Sequence, residues 1–123
     1  MYSIGKFGTM VGLATSTLRY YEKEGLLPYV SRDSNGRRQY TEKQVEWIKL
    51  VMSLKETGMT IEEIKKYTDL VSAGNNTRQE RRDLLLTHKK KVEKQVVQTE
   101  QYLERITRKI AYYEASVLGQ KPS

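Results

Sequence analysis

Apolar positions along the chain follow three different rhythms. Near the start, Ile4, Phe7 and Val11 share one helical face behind Ser3, which can cap a short helix. Gly12 breaks that run, and a second helix over about 14–23 ends near Gly25 and Pro28. The rhythm then changes in YVSRDSNGRRQY (29–40). Asn35-Gly36 there predicts a two-residue type I′ turn and a hairpin pairing 29–33 with 37–40. Three capping boxes follow: Thr41 with Gln44, Thr60 with Glu63, and Thr77 with Glu80. They place helices at 42–56, 61–72 and 78–117, with Gly58 and Gly74 as stop signals after the first two. The fold class expected is mainly α: a helix-turn-helix head with a β-hairpin wing, then one long coiled-coil helix.

The last helix carries a different pattern from the others. Leu85, Val92, Thr99, Ile106 and Tyr113 recur every seven residues, interleaved with Lys89, Val96, Leu103, Ile110 and Val117. Alternating 4–3 spacing over that length marks a coiled-coil seam. Forty residues of helix would span about 60 Å, and no second long helix in the chain can cover it. A second copy is the expected partner, through Leu85, Val92, Val96, Thr99, Leu103, Ile106, Ile110, Tyr113 and Val117. The boundaries read from this are 1–74 for the head, 75–118 for the dimerisation helix and 119–123 for a short tail.

Composition narrows the chemistry. There is no cysteine and a single histidine, His88, in 123 residues. Disulfides, thiolate metal sites and a histidine-based triad are therefore excluded within one chain. We expect no enzyme activity and no cofactor. No apolar run approaches a membrane span and the start lacks the features of a secretion signal, so a cytoplasmic protein is expected. The formal charge of +7 suits a polyanion, but its location does not point at the head. Residues 1–74 hold eleven basic and nine acidic side chains, and residues 75–123 hold eleven and six. The run Lys89–Lys91 reads as a solvated helix face.

Particular residues, not net charge, point to a nucleic-acid partner. In the second helix Leu13, Leu18 and Tyr21 fall on the buried side, leaving Thr15, Ser16, Thr17, Arg19 and Tyr20 outward. Polar residues at the start of such a helix suit base edges, while Arg and Tyr suit phosphates. Tyr20 has a core position as its alternative. The hairpin tip carries Arg32, Arg37 and Arg38, a pattern fit for phosphates or the minor-groove edge. Lys6 is placed either at a phosphate or in solvent. Trp47, Ile48, Val51, Met52 and Leu54 face Ile61, Ile64, Tyr67 and Leu70 as core, with the partner's long helix or an effector as an alternative for Trp47.

With these residues in view, the chain resembles the MerR family over nearly its whole length. The resemblance is carried by Ile4-Gly5, Gly12-Leu13, TLRYYEKEGLL from Thr17 to Leu27 with Pro28, NGRRQY from Asn35 to Tyr40, and GMTIEEI from Gly58 to Ile64. Gly74, Thr77, Arg81 and Lys109–Glu114 are also similar to small members that include aldehyde-responsive regulators. The resemblance implies DNA contacts from Arg19, Tyr20, Arg38, Tyr40 and Lys55, with packing of the wing as an alternative for Tyr40. It further implies a homodimer with antiparallel long helices on a pseudo-palindromic double-stranded operator. Distortion of the promoter spacer and action on RNA polymerase belong to the same implication.

Three positions depart from the family pattern. Ser53 stands where the thiol-sensing members have cysteine, so thiol sensing is not expected. Gly8 replaces a common alanine, and Ala14 replaces the usual serine cap, with Thr15 or Ser16 as substitute caps. Because the long helix is followed by only a short tail, no separate ligand-binding domain is expected, and a small-molecule effector stays unidentified. Two other readings fit parts of the pattern. One is an architectural DNA-bending factor of the excisionase type, and the other is a coiled-coil interaction module that does not bind DNA.

Overall fold

The computed structural model describes residues 1–28 and 31–119. The chain divides into two compact units, one ending at Leu84 and one beginning at Leu85. In the first, helix α1 (Ile4–Val11) starts at Ser3, whose Oγ accepts the Lys6 amide at 3.3 Å. It ends at Gly12, which takes the left-handed conformation (φ 73°) that a side chain resists. Helix α2 spans Thr15–Lys23. Gly8 does more than weaken α1: a Cβ there would stand 2.6 Å from the Leu13 carbonyl oxygen. Lacking one, Gly8 lets the turn between α1 and α2 close tightly, with the Leu13 amide 3.0 Å from the Gly8 carbonyl oxygen.

The first turn of α2 has no side-chain cap, although Ala14 has the extended conformation (φ −66°, ψ 148°) that a capping residue needs. Neither Thr15 nor Ser16 substitutes, since both lie inside the helix. Ala14→Ser should therefore stabilise the protein by about 1 kcal/mol. For a unit of this size that corresponds to a melting temperature about 4–8 °C higher. An unchanged melting curve would mean that the new hydroxyl fails to reach the amides of Ser16 and Thr17.

The hairpin is present but its turn differs from expectation. Strand β1 (Ser31–Arg32) pairs antiparallel with β2 (Arg38–Gln39), with Ser31 opposite Gln39 and Arg32 opposite Arg38. The turn runs from Asp33 to Gly36, closed by the Gly36 amide on the Asp33 carbonyl at 3.0 Å. Asp33 explains the change from a two-residue Asn35-Gly36 turn. Its carboxylate accepts the amides of Asn35 and Arg37, both at 2.9 Å, and organises a longer turn in which Gly36 takes positive φ (77°). Residues 29 and 30 of the expected first strand lie outside the described residues. Beyond β2, Tyr40 forms a backbone bridge to Tyr2, with N···O distances of 2.7 and 2.9 Å. The hairpin is thereby tied to the N-terminus, where the Tyr2 hydroxyl donates to Glu42.

Helices α3 (Glu42–Glu56) and α4 (Ile61–Ala73) complete the head. At α3 the Thr41 amide donates to Gln44 Oε1 at 2.7 Å, and the Gln44 amide group donates to the Pro28 carbonyl at 3.1 Å. At α4 the full capping box forms between Thr60 and Glu63. Phe7, Leu18, Leu26, Val45, Ile48, Val51, Leu54, Met59 and Ile64 are buried together in this unit. The Trp47 ring stacks on Tyr67 with centroids 5.5 Å apart, and its N–H donates to the Leu26 carbonyl at 2.7 Å.

The third expected capping box does not form. Thr77 ends a 3₁₀ turn (Asn75–Thr77), with its hydroxyl 2.5 Å from the Leu70 carbonyl and 2.8 Å from that of Gly74. Arg81 reaches back to the same place, donating to Thr77 Oγ1 at 3.0 Å and to the Gly74 carbonyl at 2.9 Å. The carbonyls at the end of α4 need donors more than the next helix needs a cap, and the Thr77 hydroxyl donates to them. These bonds tie the start of the next helix to the end of α4. Helix α5 runs Arg78–Val117, as its pattern predicts. No described helix is long and apolar enough to cross a membrane.

Candidate nucleic-acid interface

The periodicity of α2 decides which side chains it presents. Leu18 and Tyr21 are buried, Ser16, Arg19 and Tyr20 are exposed, and Thr15 and Thr17 are half-buried. Tyr20 is thus a surface ring and not a core one. Tyr21 is in the core, as its place on the helix predicts, yet its hydroxyl reaches the surface of α3. There it accepts a hydrogen bond from Lys55 Nζ at 3.3 Å, and the same ammonium lies 5.3 Å from the Tyr21 ring centroid. Lys55 is otherwise exposed and so stands beside α2. Lys6 is exposed on α1, over the Tyr2 ring.

The wing also meets α2. Arg37 is exposed, and exposed Arg32 donates to the Gly36 carbonyl at 2.9 Å. Arg38 is half-buried, and its Nε donates to Glu22 on α2 in an ion pair. Glu22, an acidic side chain one turn after Arg19, belongs to this face although a pattern of basic and hydroxyl groups does not reveal it. Two consecutive residues, Tyr21 and Glu22, therefore hold a cation from α3 and a cation from the wing against the same helix.

Tyr40 needs correction as an expected DNA contact. Its side chain is 0% exposed and its ring packs on Phe7 with centroids 4.5 Å apart. It packs because β2 leads straight into the Tyr2 bridge, which turns the next side chain inward. Among the described residues its buried hydroxyl has no hydrogen-bond partner. Burial raises the pKa of this phenol; Glu22 adds to the rise, and Arg38, Arg19 and Arg32 oppose it.

The second unit presents the seam. Val96, Leu103, Ile106, Ile110, Tyr113 and Val117 are between 51% and 84% exposed, Thr99 is exposed, and Leu85 and Val92 are half-buried. Val97, Tyr102, Tyr112 and Leu118 are exposed as well, so the apolar surface is wider than the seam alone. His88 on α5 is buried, at 7% exposure. Among the described residues no cluster of three or more His, Asp or Glu side chains could hold a metal ion.

A small head with an exposed Arg–Tyr helix face and an arginine-bearing wing beside it can grip a phosphate backbone. Residues 2–70 match the model of the MerR HTH family regulatory protein, and residues 45–109 match that of MerR, DNA binding. The chain belongs to the MerR family. It is a MerR-type DNA-binding transcriptional regulator, with the helical, winged head of that family. An uncharacterized HTH-type transcriptional regulator of Haemophilus influenzae is 38% identical over 96% of this chain and 88% of its own length. The crystal structure of HiNmlR, a MerR family regulator lacking the sensor domain, bound to promoter DNA, is also similar. It superposes with a TM-score of 0.88 at 38% identity, covering 97% of this chain and 95% of that one. The regulator AdhR of Bacillus subtilis is 33% identical over 73% of this chain and 64% of its own length. Within this MerR head, Ser53 is exposed on α3, its hydroxyl donating to the Lys49 carbonyl at 3.0 Å.

Proposed function

We propose that this MerR regulator works as a homodimer joined through α5, which presents two heads to a pseudo-palindromic promoter operator. The observation that carries the reading is the convergence of Arg19 and Tyr20 on α2 with Arg37 and Arg38 on the wing and Lys55 on α3. Five donors from three elements border one helix, and their chemistry suits phosphate oxygens. Thr15, Ser16 and Thr17, in the first turn of that helix, face base edges in this reading. The exposed seam from Val96 to Val117 supports the dimer, since so long an apolar stripe in water calls for a second copy. The complex of HiNmlR with promoter DNA supports DNA of the same kind as the ligand.

In this reading the dimer distorts the DNA between its two half-sites, and RNA polymerase reads the result at the promoter. Phosphate contacts on both sides of α2 supply the grip such a deformation needs. A gel shift on the DNA upstream of the protein's own gene tests the reading. Arg19→Ala and Arg38→Ala should each weaken binding by about tenfold, with the dimer intact by light scattering. Unchanged binding in both variants would overturn the assignment of this face.

A further inference from the structure

The ion pair between Glu22 and Arg38 bears on how strongly the wing can hold DNA. Arg38 is the half-buried member of the wing arginines, and its Nε is already engaged. Its side chain is 32% exposed and that of Glu22 is 22% exposed, so solvent screens the pair less than it would a surface bridge. One guanidinium of the wing is thus held by one carboxylate of α2. A phosphate oxygen and a carboxylate oxygen are equivalent partners for such donors.

We infer that Glu22 is an internal counter-ion that occupies Arg38 in the free protein and competes with a DNA phosphate for it, holding DNA affinity below what the wing arginines alone would give. The inference rests on the reading that the wing touches DNA. Its physical content is an exchange. Binding that recruits Arg38 must break a partly desolvated ion pair and leave a carboxylate facing the backbone. Where the pair persists, it contributes no net charge to the release of counterions. A neutral isostere at position 22 frees the guanidinium while keeping the size and polarity of the side chain.

The test uses the full chain and fluorescently labelled duplex DNA carrying the promoter upstream of its gene, with a random duplex of equal length beside it. Dissociation constants are measured by anisotropy between about 50 and 200 mM salt, the range over which phosphate contacts are read. Glu22→Gln should tighten binding to both duplexes by about fivefold and steepen the log–log salt slope by about 0.9, one additional phosphate neutralised. In an Arg38→Ala background the same change should give no gain. Glu22→Asp, which keeps the charge but draws it back, should give a smaller gain; it is the fallback if Glu22→Gln loses its fold. Equal or weaker binding by a folded Glu22→Gln variant, with Arg38→Ala impaired, would overturn the inference alone and make Glu22 a residue that seats the wing. Full binding by Arg38→Ala would overturn the wing contact itself, and the inference with it.

Discussion

Glutamates introduced together at Leu103 and Ile106 are expected to convert the protein to a monomer and to lower operator affinity at least a hundredfold. Both side chains are apolar and more than half exposed on α5, within a stripe left open to solvent among the described residues. Burying four carboxylates in a dimer seam would carry a desolvation penalty of several kcal/mol with no compensating partner. The loss in DNA binding follows from linkage: two joined heads bind the second half-site at an effective concentration worth roughly 10²–10⁴. Light scattering reads the first effect and anisotropy the second. Far-ultraviolet circular dichroism should also fall, because a long isolated helix has only marginal stability in water. The head should persist, since its core lies within the unit ending at Leu84; Trp47 fluorescence, set by the stack on Tyr67, reports on it. A dimer that survives both glutamates would place the interface elsewhere.

Tyr40 should give the largest effect on stability, with opposite signs for two substitutions. Tyr40→Ala removes a fully buried ring that joins the wing to Phe7 and stands at the Tyr2 bridge. Such truncations destabilise by about 3–5 kcal/mol, a large part of the ~5–15 kcal/mol available to a domain. Tyr40→Phe retains the ring and deletes a buried hydroxyl that has no partner, so it should stabilise by about 1–2 kcal/mol. The pH dependence separates the two forms further. The phenol's pKa is raised above its ordinary value of 10.0 in the folded chain. Above pH 10 the unfolded chain loses this proton before the folded one, so stability present at lower pH is lost as the pH rises through the folded value. Tyr40→Phe should remove that alkaline component. A lower melting temperature for Tyr40→Phe would show that the hydroxyl has a partner after all.

Where local chemistry sets the structure, residues could be read directly. Thr60 and Glu63 need only each other to start α4, and Gly12 alone suffices to end α1. The seam of α5 is a period, visible without coordinates. Where the structure departs from these local patterns, the residue has a second partner far away or of a different kind. Thr77 had the spacing of a cap but serves the carbonyls of Leu70 and Gly74. Asn35-Gly36 had the composition of a tight turn, yet Asp33 supplies two side-chain acceptances that favour a longer one. At Gly8 a cost to helix propensity was legible, but the close approach of the Leu13 carbonyl was not.

The winged head shows the same division. Sequence by itself determined the helix-turn-helix, the arginine-bearing hairpin after it, the long heptad helix and the membership of the MerR family. These depend on spacing and residue type within short windows. Tertiary structure alone decided that Tyr40 faces the core, that Lys55 lies against Tyr21, and that Arg38 is engaged by Glu22. Those pairs are separated by up to 34 residues, and charge and burial act through space. The sign of a side chain can be read from the chain; which opposite charge it meets, and in how much water, is decided only when the elements pack.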